Sequence, residues 1–352
     1  MSMTIAEMIS EARKMNASDL HFVYGKPLAM RIDGDIREMP DGYRLADFNG
    51  ELLNLLPESM REKFENGVDA DFAVESASGD RCRVNLFHQR DRIGCVMRLL
   101  SDHIPTMEEL HLPEALKGLV MLPRGLVLVT GPTGSGKSTT LASMVDYANK
   151  HRSDHIITVE DPIEYVQEPD HCLVDQREVG RDVSNFAAAL RSALREDPDI
   201  ILVGEMRDLE TISAALTAAE TGHLVFSTLH TTGAARTIDR IIDVFPPHQQ
   251  NQIRIQLAGV LKAVITQTLV KKISGGRRAA FEIMLVNDGI ANQIREGKTF
   301  QIDSSIQTGR SGGMTLLDNS LGELVRAGEI TKEEAVAHCV RETELNRFCG
   351  GR

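Results

Sequence analysis

The segment Gly131-Pro132-Thr133-Gly134-Ser135-Gly136-Lys137-Ser138 fits the pattern G-x-x-x-x-G-K-[ST] at every specified position. It follows the β-branched run Leu126 to Thr130 and precedes a helical period from Lys137 to Asn149, the strand-turn-helix setting that such a loop needs. Backbone N–H groups around Gly134 and Gly136 are expected to cradle phosphate oxygens at the positive end of the following helix. Lys137 would supply a point charge for the terminal phosphates of ATP, and the Ser138 hydroxyl a ligand for Mg²⁺. Thr139 completes the expected nucleotide-binding set. A glycine-rich turn with no ligand is the plain alternative, and the completeness of the motif weighs against it.

Hydrolysis of a bound nucleotide also requires acids near the phosphates. Ile200 to Gly204 followed by Glu205 reads as an apolar strand ending in a carboxylate, with Glu205 placed to contact a metal-bound or attacking water. A second acidic cluster, Glu160, Asp161 and Glu164, follows the strand-like run Ile156 to Val159 and so belongs to the same carboxyl edge of the sheet. Glu164 is the candidate general base, with Glu160 and Asp161 in the Mg²⁺ shell, although three acids near a turn also suit a solvated loop. His230 follows the run Leu224 to Thr228 in a hydroxyl-rich stretch and is a candidate for γ-phosphate sensing or catalysis; a lone histidine is otherwise usually structural. Charge developing on the transferred phosphoryl group calls for a cation, and Arg83, Arg98, Arg195 and Arg207 are all available. Spacing alone does not choose among them.

Positioning these groups takes alternating strands and helices. From Leu126 onward, apolar runs alternate with helical periods, through Phe186 to Arg195, Ile200 to Val203, a helix from Leu209 to Thr221 stopped by Gly222, and Leu224 to Thr228. This alternation predicts a parallel sheet covered on both faces. Pro246-Pro247 opens a helical pattern with Ile253, Leu257, Leu261 and Val264 on one face. Gly275-Gly276 then suggests a short hairpin between Leu269 to Ile273 and Ala279 to Val286, and Gly309 to Gly313 reads as a loop within a helical tail.

Upstream, the chain reads as a small α+β domain. Leu20 to Val23, Leu28 to Ile32, Arg81 to His88 and Ile93 to Leu100 are strand-like, Asp33-Gly34 is a hairpin turn, and Phe64 sits in a helical insert. Pro105, Pro113 and Pro123 mark Ser101 to Pro123 as a hinge-like linker with one short helix. The expected division is 1–100, 101–123 and 124–352.

With 352 residues, 42% of them hydrophobic, the chain can bury one or two sizeable cores. A formal charge of -12 argues against a nonspecific nucleic-acid binder. Cys82, Cys95, Cys172, Cys339 and Cys349 form no C-x-x-C pair, which speaks against a zinc site or a disulfide framework and for a reducing cytoplasm. No stretch approaches the ~18 apolar residues of a membrane span, and no basic-then-apolar leader opens the chain.

Taken in order, Gly131 to Ser138, Glu160 to Glu164, Asp199 to Asp208 (DIILVGEMRD) and Thr221 to Thr231 (TGHLVFSTLHT) resemble the Walker A, Asp box, Walker B and His box of the type II/IV secretion ATPases. Ala17-Ser18-Asp19-Leu20-His21 and Ile104-Pro105-Thr106 are similar to that family too, so the resemblance covers nearly the whole chain. Within it, the likeness is greatest to the retraction ATPases of type IV pili. Extension and type II secretion motors are usually longer and carry two zinc-binding C-x-x-C pairs. The retraction signature Ala-Ile-Arg-Asn-Leu-Ile-Arg-Glu is matched by Gly289-Ile-Ala-Asn-Gln-Ile-Arg295-Glu296 with Ala291 in place of the first arginine.

The resemblance implies an α/β protein with a PAS-like N-terminal domain and a RecA-like P-loop ATPase domain. It implies a homohexameric ring at the cytoplasmic face of the inner membrane, and it selects Arg83 and Arg98 as the small-domain arginines that close on ATP. An inner-membrane pilus platform protein is the implied partner, with a sister motor ATPase as another and membrane association only through partners. The acidic charge predicts a basic face on whatever docks. Two other readings stand beside this one: an extension, secretion or DNA-translocating ring, and an accessory ring docked on a sister motor.

Overall fold

The computed structural model describes residues 3–32, 35–39, 42–76, 79–101 and 103–349. The chain divides into two units, Met1–His103 with Pro162–Tyr165, and Ile104–Asp161 with Val166–Arg352.

The first unit opens with α1 (Ile5–Lys14). Thr4 Oγ1 accepts from the Glu7 N–H at 3.3 Å while the Glu7 carboxylate accepts from the Thr4 N–H at 2.8 Å, satisfying two end groups of the helix. The bond from the Thr4 N–H, with a second from the Thr4 hydroxyl at 3.0 Å, holds the Glu7 carboxyl below its ordinary pKa. There follow β1 (Asp19–Phe22), β2 (Ala29–Ile32), β3 (Asp35–Glu38), α2 (Phe48–Leu53), α3 (Glu58–Glu65), β4 (Ala70–Glu75), β5 (Arg81–Gln89) and β6 (Arg92–Leu99). The strands form a six-stranded sheet in the order β3-β2-β1-β6-β5-β4, antiparallel at every pairing. The Asp33-Gly34 turn lies outside the described residues; its flanking strands β2 and β3 pair with each other. Along β5, Cys82, Val84 and Leu86 are fully buried with Met8, Leu20, Met30, Phe64 and Met97, so the strand's period of two turns Arg83 away from that core.

The second unit begins with α4 (Ala115–Val120), whose Leu116 and Val120 are buried together with Met107. Thereafter β7 (Gly125–Thr130), α5 (Lys137–His151), β8 (His155–Glu160), β9 (Leu173–Glu178), α6 (Phe186–Ala193), β10 (Ile200–Val203), α7 (Leu209–Glu220) and β11 (Leu224–Leu229) alternate as the apolar pattern predicts. The chain continues through α8 (Ala234–Asp243), α9 (Pro247–Val260), β12 (Leu261–Lys271), β13 (Arg277–Leu285), α10 (Asp288–Arg295), α11 (Ile302–Thr308), α12 (Leu317–Arg326), α13 (Lys332–His338) and α14 (Glu342–Cys349). The sheet order is β13-β12-β7-β11-β10-β8-β9; β13 alone of these pairs antiparallel to its neighbour.

Burial on both faces explains why β7 reads as a continuous apolar run. Leu126 and Leu128 join a core with Ile212, Ile238 and Leu257 from α7, α8 and α9. Val127 and Val129 join the opposite core with Leu119, Leu141 and Met144 from α4 and α5.

One expected element changes type. Leu261 and Val264 continue the i, i+4 and i, i+3 spacing of the preceding helix, but α9 stops at Val260 and both residues lie in β12. The β-branched stretch Val264-Ile265-Thr266 favours an extended backbone, and pairing with both β7 and β13 secures it. Strand β9 was not expected: its sequence LVDQRE carries too few apolar residues to signal an edge strand.

Candidate active site

Between β7 and α5 the chain curls through the glycine-rich loop, with positive φ at Gly131 (140°), Gly134 (78°) and Gly136 (88°), conformations that suit residues without a Cβ. Gly136 stands at the N-cap of α5, which has no side-chain cap and no acidic residue in its first turn. A helix end in that condition is a site for an anion. Lys137 is buried, and its Nζ donates to the carbonyls of Gly131 at 2.9 Å and Pro132 at 3.0 Å. The Ser135 Oγ is buried without a hydrogen-bond partner, whereas Pro132, Thr133, Gly134 and Ser138 are exposed and Thr139 is half-buried. The orphaned hydroxyl, the uncapped helix and the nearby ammonium fit a phosphate group.

Acids reach the same edge because parallel strands end side by side. Val159, Val203 and Ser227 occupy one register level across β8, β10 and β11. Glu160 follows Val159, and its Oε1 accepts from Thr158 Oγ1 at 2.7 Å and from Gln176 Nε2 at 3.2 Å. Asp161 is exposed just beyond it. Oxygen donors of this kind suit Mg²⁺, which keeps much of its water and takes only one or two protein carboxylates.

Glu205 lies past the end of β10. Its Oε2 is 2.7 Å from Arg207 Nε and 3.4 Å from His230 Nε2. The turn beneath is fixed by Thr228 Oγ1 donating to the Gly204 carbonyl at 2.6 Å and Met206 N–H donating to the Thr228 carbonyl at 3.1 Å. Glu205, Arg207, Thr228, His230, Thr231 and Arg240 line a cavity of about 300 Å³. The structure thus brings Glu205 and His230 together, two groups read from separate motifs. Arg195, just past α6, is turned back onto that helix, donating to the Arg191 carbonyl at 2.9 Å.

The first unit holds Arg83 and Arg98 directly opposite one another on β5 and β6, hence on one face of that sheet. Like charges so placed repel. Asp71 offsets one, accepting from Arg83 Nε at 3.0 Å and Nη2 at 2.5 Å, and Asp19 offsets the other, accepting from Arg98 Nε at 3.0 Å. Glu164 falls in the Pro162–Tyr165 stretch that groups with this unit, while Glu160 and Asp161 group with the other.

Residues of β12 and β13 were not anticipated at the site. Thr266 Oγ1 is 2.9 Å from Thr130 Oγ1 and accepts from the Gly233 N–H at 3.2 Å. Glu282 accepts from the Ala234 N–H at 2.7 Å, capping α8 directly after the His230 loop, and burial pushes its carboxyl above the ordinary pKa. Gln267 contacts the glycine-rich loop itself. A β-branched strand in the sequence signals sheet, not which of its polar residues meet the loop.

A sheet of parallel strands carrying G-x-x-x-x-G-K-S between β7 and α5, with acids at neighbouring strand ends, defines a P-loop nucleotide hydrolase. Residues 82–347 match the model of the type II/IV secretion system protein family, and the chain belongs to that family. It is 53% identical, over 95% of its length and 97% of the relative's, to the type IV pilus retraction ATPase PilT of Pseudomonas aeruginosa. Identity to a twitching motility protein of Neisseria gonorrhoeae is 47%, over 87% of this chain and 82% of the other. The crystal structure of the pilus retraction motor PilT with bound ADP superimposes with a TM-score of 0.91 at 47% identity, covering 98% of this chain and 99% of that one. The architecture is therefore a small α+β N-terminal domain followed by a RecA-like ATPase core.

Proposed function

We propose that the chain is a motor ATPase that couples ATP hydrolysis to retraction of type IV pili. The observation that carries this reading is the 53% identity spanning 95% of the chain and 97% of the Pseudomonas retraction ATPase. Gly131 through Thr139 form the nucleotide-binding loop, with Lys137 on the terminal phosphates. Ser138, Glu160 and Asp161 hold Mg²⁺ directly or through water; the ion neutralises phosphate charge when bound.

In this reading Glu205 and Glu164 orient the attacking water and take up its proton. His230, within reach of Glu205, senses whether the terminal phosphate is present. Arg83 and Arg98 exchange Asp71 and Asp19 for the phosphates of ATP, and the swing about 101–123 is the power stroke. Six copies form a ring at the cytoplasmic face of the inner membrane, working on a platform protein of the pilus base and, where present, with a sister motor.

Two measurements test this. Lys137→Ala should abolish ATP turnover and leave the circular dichroism spectrum unchanged; parental turnover in that variant overturns the site. Deleting the gene should leave cells with accumulated, non-retracting pili. Bald cells would instead assign the chain to assembly, and unaltered pilation with unaltered retraction would assign it elsewhere.

A further inference from the structure

A phosphate-binding loop works only if its carbonyls stay turned outward so that its N–H groups point inward. Within the loop, Ser135 N–H donates to the Pro132 carbonyl at 3.2 Å, and Lys137 Nζ holds the carbonyls of Gly131 and Pro132. The lysine is also the group that must reach for a terminal phosphate. A second restraint, independent of Lys137, comes from β12.

Gln267 is 3% exposed and sits one residue beyond Thr266, which is in register with Thr130 at the end of β7. Its Nε2 donates to the Ser135 carbonyl at 2.6 Å and its Oε1 accepts from Thr140 Oγ1 at 2.7 Å. The amide therefore bridges the loop to the first turns of α5, and the two partners fix its orientation, since only nitrogen can face the Ser135 carbonyl. Backbone contact closes the arrangement. A Cβ on Gly131 would stand 2.2 Å from the Gln267 carbonyl oxygen, and one on Gly136 would stand 2.8 Å from Gln267 Nε2. Both ends of the loop thus lie directly on this residue.

We infer that Gln267 is a positioning residue for nucleotide binding, holding the loop in its phosphate-receiving curl while Lys137 is engaged elsewhere. This rests on the nucleotide reading of the loop. Glutamine alone among side chains of its length both donates to the Ser135 carbonyl and accepts from the Thr140 hydroxyl. Glutamate keeps the acceptor but sets a negative charge against a carbonyl beside an anion site; methionine keeps the shape and loses both bonds.

The test uses the full-length chain with Mg²⁺ and a fluorescent ADP analogue. Gln267→Met should raise the analogue's Kd about tenfold, equivalent to about 1.4 kcal/mol. Gln267→Glu should raise it further, and the KM for ATP should rise while kcat changes less than threefold. Thr140→Val, which removes one of the two bonds, should raise the Kd about threefold to fivefold, and Thr140→Ser should restore it; this pair decides the matter if the Gln267 variants do not fold. A Kd within twofold of the parent in Gln267→Met, or in Thr140→Val, overturns the inference, and a lowered melting temperature beside it would make Gln267 a merely structural contact. Lys137→Ala separates the two levels. If it binds the analogue as the parent does, the nucleotide is held elsewhere and the reading of the loop fails; if it loses binding while Gln267→Met keeps it, only the role of Gln267 fails.

Discussion

The glycine-rich loop admits a quantitative test, because two of its glycines share a backbone requirement and differ in surroundings. Gly131 (φ 140°) and Gly134 (φ 78°) both have positive φ, so alanine at either position is strained by ~1–3 kcal/mol. Around Gly134 no atom lies within 4 Å of an added Cβ. At Gly131 the added carbon would meet the Gln267 carbonyl oxygen at 2.2 Å and Ser135 Oγ at 2.8 Å. The first of these is backbone of a central strand pair and cannot rotate away, so overpacking adds ~1–3 kcal/mol. The expected losses are about 1.5 kcal/mol for Gly134→Ala and about 3.5 kcal/mol for Gly131→Ala. At ~2–4 °C per kcal/mol, the melting temperature should fall by about 4 °C and about 10 °C respectively. Scanning calorimetry without nucleotide measures the difference. Equal shifts in the two variants, or a larger one for Gly134→Ala, would refute the contact between the loop and β12.

Two more outcomes follow from the site. Glu205→Gln should lower kcat by about 10²–10⁴ with ADP affinity within twofold of the parent, since a water-orienting carboxylate acts on the reaction and not on binding; single-turnover hydrolysis and a nucleotide titration check it. Glu282→Gln should stabilise the protein at neutral pH. The folded carboxyl has a raised pKa, so the wild-type chain is stabilised by its proton below the ordinary glutamate range and loses that contribution as pH rises through the folded value. Glutamine keeps the bond from Ala234 N–H without the buried charge, so urea titrations of the two forms should diverge above about pH 4.3 and converge below it.

The alternation of apolar runs with helical periods made the ATPase core legible, because every strand from β7 to β11 except β9 is buried on both faces and so announces itself without reference to its neighbours. Edge position hid β9, in which Glu178 alone is buried and no apolar face forms. Helix α9 passed into β12 unnoticed, since Leu257 and Leu261 keep helical spacing across a change of backbone that only strand pairing decides. Glu205 and His230 were each legible from strand ends, and their meeting follows from β10 and β11 being adjacent and parallel. Gln267 was not, for it lies 132 residues from the carbonyl it holds, and no local pattern marks so distant a pairing.

Strand β12 holds its two polar contacts on opposite sides: Thr266 meets Gly233 at the start of α8, and Gln267 meets Thr140 of α5. That phase is set upstream, where the register with β7 skips from Leu261 to Ala263 and leaves Lys262 as a spacer without a partner residue on β7. Deleting one residue between Lys262 and Thr266 would turn every following side chain to the other face, putting the hydroxyl under the phosphate loop and the amide under α8. Insertions and deletions here are therefore tolerable only in compensating pairs. Over evolutionary time this strand should change by substitution while holding its length, so that its residue count becomes a more durable record of descent than its letters.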